Sequence, residues 1–176
     1  MPVAAPQSLV GHIPALRRYA RSLTGDPWNA DDLVQDTLER ACERWRLWAA
    51  GSDLRAWLFT LMHNLFVDGA RRAMRQQARR VDMDVEQAGQ DFAVSGGGAE
   101  QLMDLQRCLL RLPADQREVL LLVSLNDFRY EDIARITGVP IGTVMSRLSR
   151  ARTRLRELMD GRSPAAAVAP ALRRLK

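Results

Sequence analysis

The stretch from residue 129 to residue 156 constrains the fold most, because it carries the pattern of two helices joined by a tight turn. Its first part repeats apolar side chains at helical spacing, and Gly138-Val139-Pro140 then interrupts the repeat. Glycine readily takes the positive φ that ends a helix, and proline suits the first turn of the next helix. The second part predicts a helix with a buried stripe of Ile141, Val144, Leu148, Ala151, Leu155 and Leu158. Two short helices around a glycine-containing turn are typical of a helix-turn-helix.

The exposed face of the second predicted helix is basic. Between Arg147 and Arg156 there are five arginines and no acidic residue. Helix surfaces usually mix charges of both signs, so a face of one sign favours a polyanionic partner such as DNA. A charged face that is merely solvated is the alternative, and this stretch alone leaves it open.

The composition is that of a globular protein with more basic than acidic residues. The net charge is +5, and all but one of the 26 basic residues are arginine. Arginine can bind a phosphate through two hydrogen bonds at once, so the excess of arginine over lysine suits a polyanionic partner. A GC-rich genome would give the same excess. Cys42 and Cys108 are predicted to be small buried residues rather than disulfide partners or metal ligands. With neither a signal peptide pattern nor a long apolar run, we expect a cytoplasmic protein without membrane insertion.

The order of periodic and polar segments predicts an all-α chain with two small helical domains. Residues 9–74 are predicted to form three helices, and residues 100–160 four helices, of which the last two are the helix-turn-helix. The polar, glycine-containing segment 75–99 is predicted to be a flexible linker. Residues 1–8 and the basic tail 161–176 are predicted to be disordered.

Capping residues predict where several helices begin. Asn29, with Asp32 three residues later, predicts the start of the second helix near Ala30. Asp115 is a candidate cap for the helix that follows Pro113. The first helix of the helix-turn-helix has Arg129 at its start instead of a capping residue, so we expect Asp127 to cap it.

Three blocks carry a resemblance to a known family. They are DDLVQDTLERACERW at 31–45, LRAWLFTLMHNLFVDGARR at 54–72, and LRLPADQREVLLLVSLNDFRYEDIARITGVPIGTVMSRLSRARTRLR at 110–156. In this order, with a variable linker before the third block, they resemble the extracytoplasmic-function (ECF) group of sigma-70 family sigma factors of bacterial RNA polymerase. The resemblance covers nearly everything except the tails and the linker.

The resemblance implies a dissociable initiation subunit without catalysis of its own. Such a subunit binds core RNA polymerase, on its beta-prime clamp helices and beta flap, and recognises promoter DNA at the −35 and −10 elements. Its first domain docks on the polymerase and helps to melt the −10 region, while its helix-turn-helix reads the −35 element. The resemblance also implies control by an anti-sigma factor, and it implies no cofactor, metal or small-molecule substrate.

Individual residues match the family's contact positions. The implied core-polymerase contacts are Asp32, Gln35, Asp36 and Glu39. The implied −10 contacts are His63, Asn64, Val67, Arg71 and Arg72. The implied −35 contacts are Thr143, Met145, Ser146, Arg147, Ser149, Arg150 and Arg154. Two residues depart from the family pattern: Met145 stands where a basic residue is common, and Arg129 stands where Ser or Thr usually caps the helix.

Two other classes of function explain less of the sequence. A dimeric helix-turn-helix regulator would explain residues 114–158 but not the two upstream blocks. An enzyme acting on nucleic acid would need catalytic groups. The chain has only two histidines, His12 and His63, and no paired-carboxylate or metal-ligand motif.

Overall fold

The computed structural model describes residues 7–45, 48, 53–79 and 99–161. All regular structure in this part of the chain is helical, and the predicted all-α class is confirmed. The helices are α1 (Gln7–Val10), α2 (Ile13–Thr24), α3 (Pro27–Glu43), α4 (Leu54–Arg79), α5 (Ala99–Leu110), α6 (Ala114–Asn126), α7 (Tyr130–Thr137) and α8 (Ile141–Met159). We refer to α1–α4 as the N-terminal domain and to α5–α8 as the C-terminal domain.

The N-terminal domain is built around α2, which packs on α3, while α3 packs on α4. Leu16, Tyr19, Ala20 and Leu23 of α2 are buried, as their helical spacing predicts. At its end, Gly25 takes a φ of 75°, so the backbone turns sharply into α3.

The start of α3 differs from the sequence prediction. The helix begins at Pro27, and its N-cap is Asp26, whose Oδ1 accepts the backbone N–H of Asn29 at 2.7 Å. The assignment of Asn29 as the cap was therefore wrong. Proline fits the first helical position because it has no N–H to leave unsatisfied, and Asp26 directly before it completes the cap.

Two further predicted caps were also wrong. The N-cap of α6 is Pro113, and Asp115 lies inside the first turn, where its carboxylate pairs with Arg147. Asp127 does not cap α7, because it adopts a left-handed conformation with φ 50° and ends α6. The N-cap of α7 is Arg129, which makes no capping side-chain hydrogen bond.

The helix ends differ from the predicted segment boundaries at three places. Gln7 and Ser8, within the segment predicted to be disordered, belong to α1. The helix α4 continues to Arg79, beyond its predicted end at Met74, and α5 already begins at Ala99. The rest of the predicted linker, residues 80–98, and the tail from residue 162 lie outside the described residues.

The helix-turn-helix has the predicted form. Gly138, with φ 68°, joins α7 to α8, and Val144, Leu148, Ala151 and Leu158 of the predicted stripe are buried. Ile141, at the start of the same stripe, is 38% exposed. The buried stripe packs α8 against α5, α6 and α7, which leaves its basic face outward.

The two domains pack directly against each other, which the sequence did not lead us to predict. Helix α2 contacts α5 and α6, and α4 contacts α7, so the buried apolar residues form one continuous core. The ring of Phe59 on α4 lies edge-on to Tyr19 of its own domain and to Phe128 of the other, with both centroid distances at 5.1 Å. This contact decides which surfaces of the N-terminal domain remain exposed.

We predict that Asp26→Ala lowers the free energy of unfolding by about 1 kcal/mol, because it removes the N-cap of α3. Urea unfolding followed by circular dichroism measures the change. Asp32→Ala is the matched control: Asp32 is an exposed aspartate of the same helix without a capping bond. Equal losses of stability in the two variants would contradict the assigned cap.

Candidate functional site

The outer face of α3 is acidic. Asp32, Gln35, Asp36 and Glu39 are all exposed, and the Gln35 amide donates to Glu39 Oε1 at 2.9 Å. Spacings of three and four residues place the four side chains on one side of the helix. Among the residues that the structure describes, none of their three carboxylates pairs with a basic side chain. The structure thus brings the four predicted polymerase contacts together on an open surface.

Asp31, the immediate neighbour of this face, behaves differently. It accepts from Arg17 Nε at 3.0 Å and lies 3.8 Å from Arg21 Nη2, so it ties α3 to α2. The negative charge that remains for a partner is therefore that of Asp32, Asp36 and Glu39.

The predicted −10 residues on α4 divide into two groups. Asn64, Arg71 and Arg72 are exposed, and Val67 is half-buried. The side chain of His63 is only 14% exposed, because it faces the C-terminal domain. The structure therefore presents four of the five residues and covers the fifth.

His63 belongs to a polar cluster between the domains. Its Nδ1 lies 2.5 Å from Oε1 of Glu118 on α6, and the same oxygen accepts the Tyr19 hydroxyl at 3.4 Å. Burial, and then the negative charge of Glu118, raise the pKa of Tyr19 well above its usual value. The phenol therefore stays protonated and can donate to the carboxylate.

Burial lowers the pKa of the neighbouring Arg117 guanidinium, whose Nη1 donates to carbonyls of residues 110 and 112.

The predicted −35 residues lie on the outer side of α8. Met145 is 49% exposed, and Ser149, Arg150 and Arg154 are also exposed. Thr143 and Ser146 are partly buried. With α7 crossing beside its first turns, α8 presents these side chains as a helix-turn-helix presents its second helix to a major groove.

Two arginines of α8 have different surroundings. Arg147 Nε lies 3.1 Å from Asp115 Oδ2, so this side chain links α8 to α6. Arg150 stays on the exposed surface, where its Nη2 reaches Ser146 Oγ at 3.2 Å. Arg150 is therefore open to a DNA partner, whereas Arg147 is already engaged within the domain.

A shallow groove of about 290 Å³ runs beside the exposed face of α8. Its lining includes Tyr130, Met145, Ser149, Arg152 and Arg156. The groove is thus lined by apolar and guanidinium side chains and includes Met145 and Ser149 of the predicted −35 residues.

The sequence did not reveal the residues of the domain contact. Arg55, Phe59 and His63 recur every four residues along α4 and face the C-terminal domain. On α6, residues 118–122 are buried consecutively, and a helix that is buried all round needs partners on every side. The apolar run of residues 119–123 in the sequence was the signal that could have indicated a second partner for α6.

Two further kinds of feature were absent from the residues that the structure describes: side-chain groups suited to a metal ion and helices suited to span a membrane. No group of three or more His, Cys, Asp or Glu side chains is placed to hold an ion. None of the described helices is both long and apolar enough to span a bilayer.

Two family models match separate regions of the chain. The family model described as "Sigma2 domain of PhyR" matches residues 9–63. The family model described as "Sigma-70, region 4" matches residues 102–155, which include α6, α7 and most of α8.

Whole-chain relatives cover both regions. ECF RNA polymerase sigma factor EcfG of Rhodopseudomonas palustris is 40% identical over 152 residues, which span 86% of this chain and 82% of the relative. The solved structure of the sigma factor RpoE from Bartonella quintana, in complex with the anti-sigma factor NepR, is 41% identical with a TM-score of 0.76. It covers 88% of this chain and 95% of that chain. CnrH, solved with the cytosolic domain of CnrY, is 28% identical with a TM-score of 0.63. The likeness covers 89% of this chain and 88% of that chain.

The chain therefore belongs to the ECF group of RNA polymerase sigma factors, the transcription initiation subunits that direct the polymerase to its promoters.

Proposed function

We propose that the two domains divide promoter recognition between them. The N-terminal domain docks on core polymerase through the acidic face of α3 and engages the −10 element through α4, and the C-terminal domain reads the −35 element through α8. One observation carries this division: an exposed acidic face, without basic partners among the described residues, and an exposed basic helix occupy different domains of one chain. Opposite charges on the two surfaces suit a basic protein partner and an anionic nucleic acid, respectively.

The exposure of the residues supports each proposed set of contacts. On α3, Asp32, Asp36 and Glu39 offer carboxylates to basic residues of the polymerase. On α4, Asn64 supplies hydrogen bonds for a base, while Arg71 and Arg72 attract the backbone of the unpaired strand. On α8, Ser149 and Arg150 face base edges, and Arg154 contacts phosphate. The chain acts in the cytoplasm and catalyses no reaction itself.

An anti-sigma factor is proposed as the regulator. The support is the likeness to RpoE, which was solved in complex with the anti-sigma factor NepR and which aligns over both domains of this chain. A partner that contacts both domains could cover the surfaces of α3 and α8 together and so withdraw the chain from the polymerase.

Run-off transcription tests the proposed function directly. The chain is mixed with core polymerase and a library of bacterial promoters, and the transcripts are sequenced. We expect starts from a narrow promoter class that shares one −35 and one −10 sequence. A chain that binds operator DNA but supports no transcript with any promoter would contradict the proposal.

We predict that the double variant Asp32→Lys with Asp36→Lys weakens binding to core polymerase at least about tenfold, or about 1.4 kcal/mol, because it reverses the charge of the docking face. Surface plasmon resonance with immobilised core polymerase measures the affinity. The matched control is Asp104→Lys with Glu131→Lys, which makes the same charge change on exposed carboxylates of the C-terminal domain. Equal weakening by both double variants would indicate a general charge effect instead of a docking face.

We predict that Arg150→Ala in the holoenzyme reduces discrimination between −35 sequences by about 1–3 kcal/mol, because it removes a base contact. Arg147→Ala should instead lower the thermal stability of the chain and weaken all promoters alike, since Arg147 is paired with Asp115. Fluorescence anisotropy with a set of −35 duplex variants distinguishes the two outcomes. Sequence preference that changes with Arg147 and not with Arg150 would refute these roles.

A further inference from the structure

Met145 is an apolar side chain on an otherwise polar surface of α8. It is 49% exposed, and the exposed residues that follow it on this surface are Ser149 and Arg150. Because α8 begins at Ile141, Met145 lies in the second helical turn. The first turns of the second helix in a helix-turn-helix are the part that reaches base edges. Met145 therefore stands among the side chains best placed to meet a base.

Met145 also lines the groove of about 290 Å³ that α7 and α8 form together. The buried Leu148 lines the groove beside it, and Tyr130 lines it from α7. Arg152 and Arg156 line it further along α8, about 10 Å and about 16 Å from Met145 in the direction of the helix axis. The groove therefore changes from apolar to cationic along its length.

The cationic end of the groove suits the sugar-phosphate backbone of DNA. Arg152 and Arg156 are exposed. Neither forms an ion pair among the described residues, since the ion pair of α8 uses Arg147. Thr153 adds a hydroxyl group to the lining between them. Guanidinium and hydroxyl groups commonly hold DNA phosphates, so a duplex bound here can bring a base edge to Met145 at the other end.

The apolar end of the groove suits one base in particular. Of the four bases, only thymine carries an apolar substituent, its C5-methyl group, on the major-groove edge. A thioether has no hydrogen-bond donor and is a weak acceptor. Against another base, Met145 would displace water from donors or acceptors without replacing its hydrogen bonds, which weakens binding. Against the methyl group of thymine, it removes apolar surface of both partners from water, which strengthens binding.

We propose that Met145 selects a thymine in the −35 element: its thioether packs on the C5-methyl group, while Arg152 and Arg156 bind phosphates of the backbone that lies along the groove. The inference deepens the proposed function of α8 and rests on it. It adds the identity of one base and assigns the recognition of that base to an apolar contact, beside the polar contacts of Ser149 and Arg150.

Deoxyuridine tests the methyl group by itself, because it pairs with adenine as thymidine does and lacks only that group. The probes are fluorescein-labelled −35 duplexes from a promoter transcribed in the run-off assay, with each thymine of either strand replaced in turn. Fluorescence anisotropy with the reconstituted holoenzyme measures their affinities. For the wild-type chain we expect one thymine whose replacement weakens binding about fourfold, the effect of one methyl group withdrawn from water.

Variants of Met145 assign that effect to its side chain. Met145→Gln keeps the length of the side chain but ends in an amide, so it should bind the thymine and deoxyuridine duplexes with equal affinity. Met145→Leu should keep a preference for thymine, because its side chain is also apolar. Met159→Gln is the matched control and should keep the fourfold difference, since Met159 is a 59% exposed methionine of the same helix outside the groove lining. Circular dichroism establishes that each variant keeps its helix content.

Variants of the two arginines test the cationic end separately. Arg152→Gln and Arg156→Gln should each reduce the magnitude of the slope of log affinity against log salt by about 0.9, because one phosphate contact is lost. The fourfold preference for thymine should remain in both variants. A preference for thymine that disappears while the salt slope stays unchanged would contradict these roles.

Three results would overturn the proposal. One is a wild-type holoenzyme that binds every deoxyuridine duplex as tightly as the thymine duplex, and another is a methyl effect that survives in Met145→Gln. The third is weaker binding of Met145→Gln to immobilised core polymerase with an unchanged DNA preference, which would indicate a protein segment in the groove. Affinity that no base change in the −35 duplex alters would instead indicate failure of the proposed function of α8.

Discussion

The carboxylate of Glu118 between Tyr19 and His63 is the interaction on which the arrangement of the two domains depends. Each domain consists of a few helices and can bury only a small core by itself. The packing of α2 and α4 on α5, α6 and α7 joins these small cores into one. The Glu118 carboxylate at the centre of that contact fixes how the two domains fit together, because a displaced domain would leave the carboxylate buried without partners.

This contact also sets which surfaces are accessible to partners. The acidic face of α3 and the basic face of α8 point away from it and remain exposed. The side of α4 that carries Arg55, Phe59 and His63 is covered.

Local sequence patterns predicted the helices but not their contacts across domains. The stripe of α8 and the turn at Gly138 could be predicted because helical periodicity and positive φ are properties of a short segment. The caps were predicted less well: Asp26 and Pro27 together start α3, although Asn29 offered an equally suitable side chain. Phe59 and Glu118 could not be placed, since their partners lie 69 and 99 residues away along the chain.

The direct packing of the two domains is tested most directly by nuclear Overhauser effects between phenylalanine and tyrosine rings of the free, full-length chain. Phe59 lies at the same centroid distance, 5.1 Å, from Tyr19 within its domain and from Phe128 across the contact. The pair within the domain is therefore an internal control. A closed chain predicts cross-peaks of comparable intensity for both pairs. A cross-peak to Tyr19 without one to Phe128 would show that the domains do not pack in solution, and would contradict the account.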